Sequence, residues 1–328
     1  MILTVVFLRA LILCLLVVSW SAAAEQVNVA TPSRGLIELP VIVAMRNGYF
    51  RSEGLEIQKI QIEPEVAVKA LLAGEVDFNL AWEASVQAAV AGAPIRLVGA
   101  IVSKPLQILI SRPEIRSAKD LIGKTLGVDA FSSMIDFVSR VAARYLGLEP
   151  DKQVGVVEVG NSALRLVALR AGEIHATAVD LAVAVKAEEE GFRRLISIGD
   201  IIDFPVSGIF VASAKLTKQP ESVKRFLRAT LRGARFIKQN RTEAVRIIQY
   251  YLKITPSQAA RSYDSAIRAF AEQGLISDRV LAFSAWRAAE KFQLANDPLL
   301  SQLADWGLLR EILAERRKIP FWLKHHDP

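Results

Sequence analysis

The segment Ala70-Leu71-Leu72-Ala73-Gly74-Glu75-Val76 returns 98 residues later as Ala168-Leu169-Arg170-Ala171-Gly172-Glu173-Ile174. Each copy ends an apolar-faced helical pattern at a glycine and continues into a short β-type run, 76–81 in the first and 174–179 in the second. Glycine accepts the left-handed conformation that turns a chain out of a helix, so Gly74 and Gly172 are expected to do so. The spacing is too long for a solenoid unit. It fits two α/β lobes of like construction, with a cleft between them.

The lobes can be traced by pattern. In lobe I, strands are expected at 26–30, 55–62, 76–81 and 95–102, and helices at 37–46, 64–73 and 84–91. In lobe II, strands are expected at 125–130, 154–159 and 174–179, and helices at 117–123, 132–146, 162–171 and 181–191. Strands alternating with helices of about ten residues indicate βαβ units and mostly parallel sheets. Extended apolar runs at 105–111 and 204–213 serve as two hinge crossings, an arrangement suited to rigid-body closure. From Lys218 the pattern is helical, with helices over 221–239, 243–252, 278–294 and 299–316 and a capping box at Thr255-Pro256-Ser257-Gln258. This block is expected to pack on lobe I.

Residues 1–24 form a separate unit. Arg9, an apolar run over 10–18 and Ala22-Ala23-Ala24 read as a secretory signal peptide, with retention as a membrane anchor the alternative. Cleavage after Ala24 would leave 304 residues (328 − 24), no cysteine, since Cys14 is the only one, and a charge of +6 (40 − 34). The expected organisation is therefore signal peptide 1–24, lobe I at 25–104 plus 211–328, and lobe II at 105–210. The basic residues form no cluster interleaved with aromatics, so we expect no nucleic-acid partner. Lys224, Arg228, Arg232, Arg235 and Lys238 share one helix face. That stripe is a solvated surface or a contact for an acidic partner or membrane.

Ligands of open parallel sheets bind beyond the carboxyl ends of the strands, where helix N-termini offer free N–H groups. This selects Thr31, Ser33, Arg34, Trp82, Glu83, Ser132, Ser133, Asn161 and Asp180, with Ser207 on the return crossing. Ser33, Ser132 and Asn161 also suit helix caps, and Glu83 and Asp180 suit helix starts without any ligand. Enzyme signals are poor. Gly123-Lys124-Thr125 lacks the first glycine of a phosphate loop, position 118 being alanine, and no G-x-S-x-G occurs. Of three histidines, His325 and His326 lie in the tail. His175 reads as a satisfied buried or edge residue. No cofactor and no metal site is expected.

Three segments carry a family resemblance: 41–56 (VIVAMRNGYFRSEGLE), 73–77 (AGEVD) and 120–128 (DLIGKTLGV). Together they resemble solute-binding proteins of ABC importers for nitrate, sulfonate, taurine and thiamine-pyrimidine compounds. The resemblance implies a type II-like periplasmic-binding-protein fold. It also implies a periplasmic monomer that closes on a small-molecule solute and delivers it to an ABC permease in the inner membrane. An enzyme on the same fold, of the pyrimidine-synthesis or menaquinone-pathway type, and a ligand sensor for a membrane receptor are the rival readings. The best-known ligands of such proteins are anions. Glu83 and Asp180 instead suit a pyrimidine, amine or amidine, whereas Arg34 and the helix starts at Ser132 and Asn161 suit an anion.

Overall fold

The computed structural model describes residues 24–293 and 298–317. Residues 1–23 of the expected signal peptide (1–24) and the tail from 318 lie outside them. Among the described residues no helix is long and apolar enough to cross a membrane.

Among the described residues, ten strands form two five-stranded sheets. The first contains β1 (Glu25–Thr31), β2 (Leu55–Gln61), β3 (Phe78–Ala81), β4 (Ile95–Val102) and β10 (Ser207–Ala212), in the order β2-β1-β3-β10-β4. The second contains β5 (Gln107–Ser111), β6 (Thr125–Val128), β7 (Gly155–Glu158), β8 (Ala176–Asp180) and β9 (Arg193–Ser197), in the order β7-β6-β8-β5-β9. In each sheet one strand runs against its neighbours: β10 in the first and β5 in the second. Each lies within one of the two crossing runs, 105–111 and 204–213. The lobes thus share one topology, as the repeat implies. β9 has no counterpart in the pattern reading, because Arg193-Arg194 hides the apolar alternation of this edge strand. β10 pairs wholly within the first sheet, so the chain has returned there by residue 207.

The repeat behaves alike in both lobes. Gly74 (φ +77°) and Gly172 (φ +82°) adopt the left-handed conformation, and the next N–H returns to Ala70 O (2.9 Å) and Ala168 O (3.0 Å) respectively. Asp77 and His175, at matching positions, each tie the repeat to the first parallel strand of their lobe. Asp77 accepts from Asn28 N at 2.8 Å, and His175 Nδ1 lies 2.9 Å from Thr125 Oγ1.

Several boundaries differ from expectation. The helix after β3 is Trp82–Val90 and begins without a loop, because the Asn79 side chain accepts from Ala81 N and turns the strand end itself. The expected helix over 299–316 is broken into Leu300–Leu303 and Gly307–Arg317, where Asp305 N pairs with Leu97 O instead.

The C-terminal block does not pack on lobe I alone. Helix Pro220–Gln239 crosses Leu39–Arg46 there, with Phe226 stacked on Phe78 at 3.9 Å. Helix Pro256–Ala266 instead lies on Leu181–Glu189 of lobe II, where Gln258 Nε2 donates to Glu189 at 2.6 Å and Arg261 pairs with Glu188. The basic stripe of Pro220–Gln239 is largely consumed internally. Lys224 pairs with Glu311, Arg228 with Glu221 (3.1 Å) and Lys238 with Glu272 (3.6 Å), while Arg232 stacks on Tyr49 (4.3 Å).

Gly233 sits at the Pro220–Gln239 crossing, where an added Cβ would lie 2.1 Å from Pro40 O. The obstacle is backbone and cannot rotate away. Gly233→Ala is expected to destabilise the protein by about 3 kcal/mol in urea unfolding, the upper range for overpacking. A change below about 1 kcal/mol would show that the helices part freely.

Candidate functional site

A cavity of about 580 Å³ lies between the sheets and is lined from both lobes. Its carboxylates are Glu83, Asp129 and Asp180, and its one guanidinium is Arg34. The remaining wall is mainly apolar, with Trp82, Leu106, Met134, Phe204, Val206 and Leu252 prominent. The three carboxylates line the surface, while two further guanidiniums stand behind them: Arg165 acts on Asp129 and Asp180, and Arg287 on Glu83.

Trp82 opens its helix directly at the end of β3 and is 2% exposed, packed edge-on against Phe210 at 5.6 Å. Its Nε1–H has no acceptor. Glu83 follows on the same helix. Its Oε1 accepts from Gln87 Nε2 at 3.0 Å, whereas its buried Oε2 has no donor. A buried polar atom without a partner is costly, and two such atoms sit on adjacent residues of this helix start.

Asp180 ends β8 and faces Gln107 of β5 across the sheet. It is open to the cavity yet enclosed by protein. That loss of surrounding water raises its carboxyl pKa, while the Arg165 charge and a Gln107 hydrogen bond pull it down. Arg165 is 3% exposed beneath the site and donates to Thr177 Oγ1 (3.1 Å), Gly160 O (2.6 Å) and Ala178 O (3.3 Å). Those acceptors are all neutral. Desolvation lowers its pKa, and the charges of Asp129 and Asp180 raise it.

Arg34 lines the cavity but is already engaged. Its Nε and Nη2 donate to Tyr251 O, the former at 2.8 Å, and its guanidinium lies over the Tyr251 ring. Ser33 is exposed at the rim of the same loop.

Five expected residues, Ser33, Arg34, Trp82, Glu83 and Asp180, thus meet around one cavity. The other five are absent from its lining and have local tasks. Thr31 is fully buried and donates to Glu38 at 2.8 Å. Ser207, also fully buried, donates to Leu80 O at 3.3 Å. Ser132 takes a left-handed turn (φ +63°) with its N–H on Asp136. Ser133 caps Met134–Tyr145 through Asp136 N, and Asn161 caps Ser162–Ala171 through Ala163 N and Leu164 N. In these last cases the cap uses the oxygen that a ligand would need.

The sequence reading missed Asp129, Gln107 and Phe204. Asp129 immediately follows β6, so the carboxyl-end rule selects it once the strand is ended at Val128 rather than Ala130. Gln107 opens β5, and Phe204 precedes β10. Those strands run antiparallel, which brings their amino ends to the cleft.

Two like α/β lobes with this strand order, two crossings and a cavity between them define a periplasmic-binding-protein fold. The profile of the family described as NMT1/THI5 like matches residues 38–244, and the chain belongs to that family. It is 26% identical over 201 residues to the riboflavin-binding protein RibY of Chloroflexus aurantiacus, covering 59% of this chain and 57% of that relative. It is also 26% identical over 220 residues to the 4-amino-5-hydroxymethyl-2-methylpyrimidine phosphate synthase of Legionella pneumophila, covering 64% and 68% of the two chains. Among solved structures, the periplasmic aliphatic sulphonate binding protein SsuA of Escherichia coli superposes with a TM-score of 0.69 at 17% identity, over 85% of this chain and 91% of that one.

Proposed function

We propose that this protein is the solute-binding component of an ABC import system in the periplasm. It captures a small organic solute between its lobes and passes it to an inner-membrane permease. The cavity itself carries the reading: about 580 Å³, walled by both lobes and placed where their rotation would open or close it. The wall favours a flat organic molecule bearing N–H donors or a positive charge. Such a ligand would pair with Asp180, which is open to the cavity, and lie against the apolar wall around Phe204. A sulfonate would meet three carboxylates and an Arg34 already held by Tyr251.

Native mass spectrometry of the purified protein identifies any solute carried through expression. Thermal shifts with 4-amino-5-hydroxymethyl-2-methylpyrimidine, riboflavin and an alkanesulfonate then test its class. A true solute at a hundredfold excess over Kd should stabilise the protein by about 2.7 kcal/mol. We expect this from a nitrogen heterocycle and not from the sulfonate. Failure of every compound, together with no carried solute, would sink the solute-binding reading. A carried compound recovered chemically altered would favour the enzyme.

A further inference from the structure

We propose that Arg287 is a positioning residue of the cleft, fastening lobe II to a C-terminal helix that also steers Glu83. The helix Asp278–Lys291 lies beyond the family-matched segment 38–244. It is seated on lobe I, where Leu281, Ala285 and Ala288 share a buried cluster with Trp82 and Val86. From that seat the Arg287 guanidinium reaches across. It stands 3.8 Å from the centroid of Phe137 and 5.5 Å from that of Phe204, and Nη1 is 3.6 Å from Met134 Sδ. Phe137 and Met134 belong to lobe II helix Met134–Tyr145, and Phe204 belongs to the return crossing. Phe283, on the same C-terminal helix, extends the contact to Phe137 (6.1 Å) and Phe204 (6.0 Å).

The other side of this contact is the binding site. Arg287, Ser284, Gln87, Glu83 and Trp82 surround a small chamber behind the main cavity. Glu83 is held by Gln87, whose Oε1 accepts from Lys291 Nζ at 3.1 Å, so the helix reaches Glu83 through the Gln87 amide. The guanidinium is partly buried and stacked on aromatic faces, a setting in which cation–π attraction is strengthened by desolvation. A contact that joins one lobe to the other beside a hinge crossing biases the open–closed equilibrium, because closure moves the lobes as rigid bodies. The helix therefore joins the two: Arg287 holds lobe II, and Lys291 reaches Glu83 through Gln87.

This inference rests on the cleft reading, but its test uses ligand-free protein, so the two can fail separately. Arg287→Met keeps an apolar stem and removes the charge, and Phe137→Leu removes the ring from the lobe II side. In small-angle scattering both variants should show a larger radius of gyration than the native protein. Both should speed hydrogen exchange in Met134–Tyr145 on the order of tenfold through a more populated open form. Arg287→Lys, which retains the charge without the planar face, should fall between. Unchanged scattering and exchange would overturn the proposal. So would a fall in melting temperature with neither the larger radius nor the localised exchange, since that marks a packing role only. Should Arg287→Met fail to fold, Arg287→Lys and Phe137→Leu decide by the same criteria.

Discussion

Asp180→Asn is expected to weaken solute binding by about 100-fold, the upper range for a hydrogen bond to a charged group, while barely moving the melting temperature of the ligand-free protein. The asparagine fills the same space and can still hydrogen-bond to Gln107, but it cannot balance a cation or accept through two charged oxygens. The measurement is isothermal titration with the carried solute or with the panel compound giving the largest thermal shift. pH provides a second reading of the same residue. Enclosure raises the Asp180 pKa above the ordinary 3.8, so acidification protonates it early. For a cationic or N–H-bearing solute, affinity should fall as pH drops, beginning above 3.8, and in the asparagine variant that loss should be much reduced. Native-like affinity in Asp180→Asn would mean that the solute does not use this carboxylate. A gain in affinity would point to an anion.

The shared architecture of the lobes is legible in the repeat itself. Gly74 and Gly172 each need a left-handed φ, and a sequence can state that need directly. Trp82 and Asp180 were legible for a related reason, as they follow strands whose apolar runs are clear. Residues that look alike on paper part company when their hydrogen bonds are placed. Ser133 and Asn161 spend their oxygens on helix caps, Thr31 turns to the buried Glu38 carboxylate, and Ser207 turns to a carbonyl of the neighbouring strand. Strand direction was the harder limit. The apolar runs at 105–111 and 204–213 mark crossings without saying that β5 and β10 reverse, so Gln107 and Phe204 stayed hidden. The contact of Arg287 with Phe137 spans 150 residues of sequence, and no local pattern encodes it.

Glu38 carries the other large expected effect, and it lies outside every set of expected site residues. It is fully buried, with Lys59 Nζ 3.1 Å from both its oxygens, Thr31 donating at 2.8 Å and the Tyr251 hydroxyl donating as well. Its Oε1 also accepts from Gly35 N at 3.3 Å, closing the loop that holds Ser33 and Arg34 at the cavity rim. Glu38→Ala strands the Lys59 ammonium and the phenol in a partly buried space. The expected loss is about 4 kcal/mol in urea unfolding, typical of one partner removed from a buried ion pair. Glu38→Gln keeps the shape and the acceptor, but it leaves Lys59 unbalanced, so it should fall between the alanine variant and the native protein. The binding consequence follows from geometry. Tyr251 presents both the hydroxyl that meets Glu38 and the carbonyl that holds Arg34, and the next residue, Leu252, lines the cavity. Solute affinity should therefore fall in the glutamine variant even where the protein remains folded, through displacement of the rim rather than loss of a contact to solute. A glutamine variant with native affinity would show that the rim holds its place without the ion pair, and would confine Glu38 to stability.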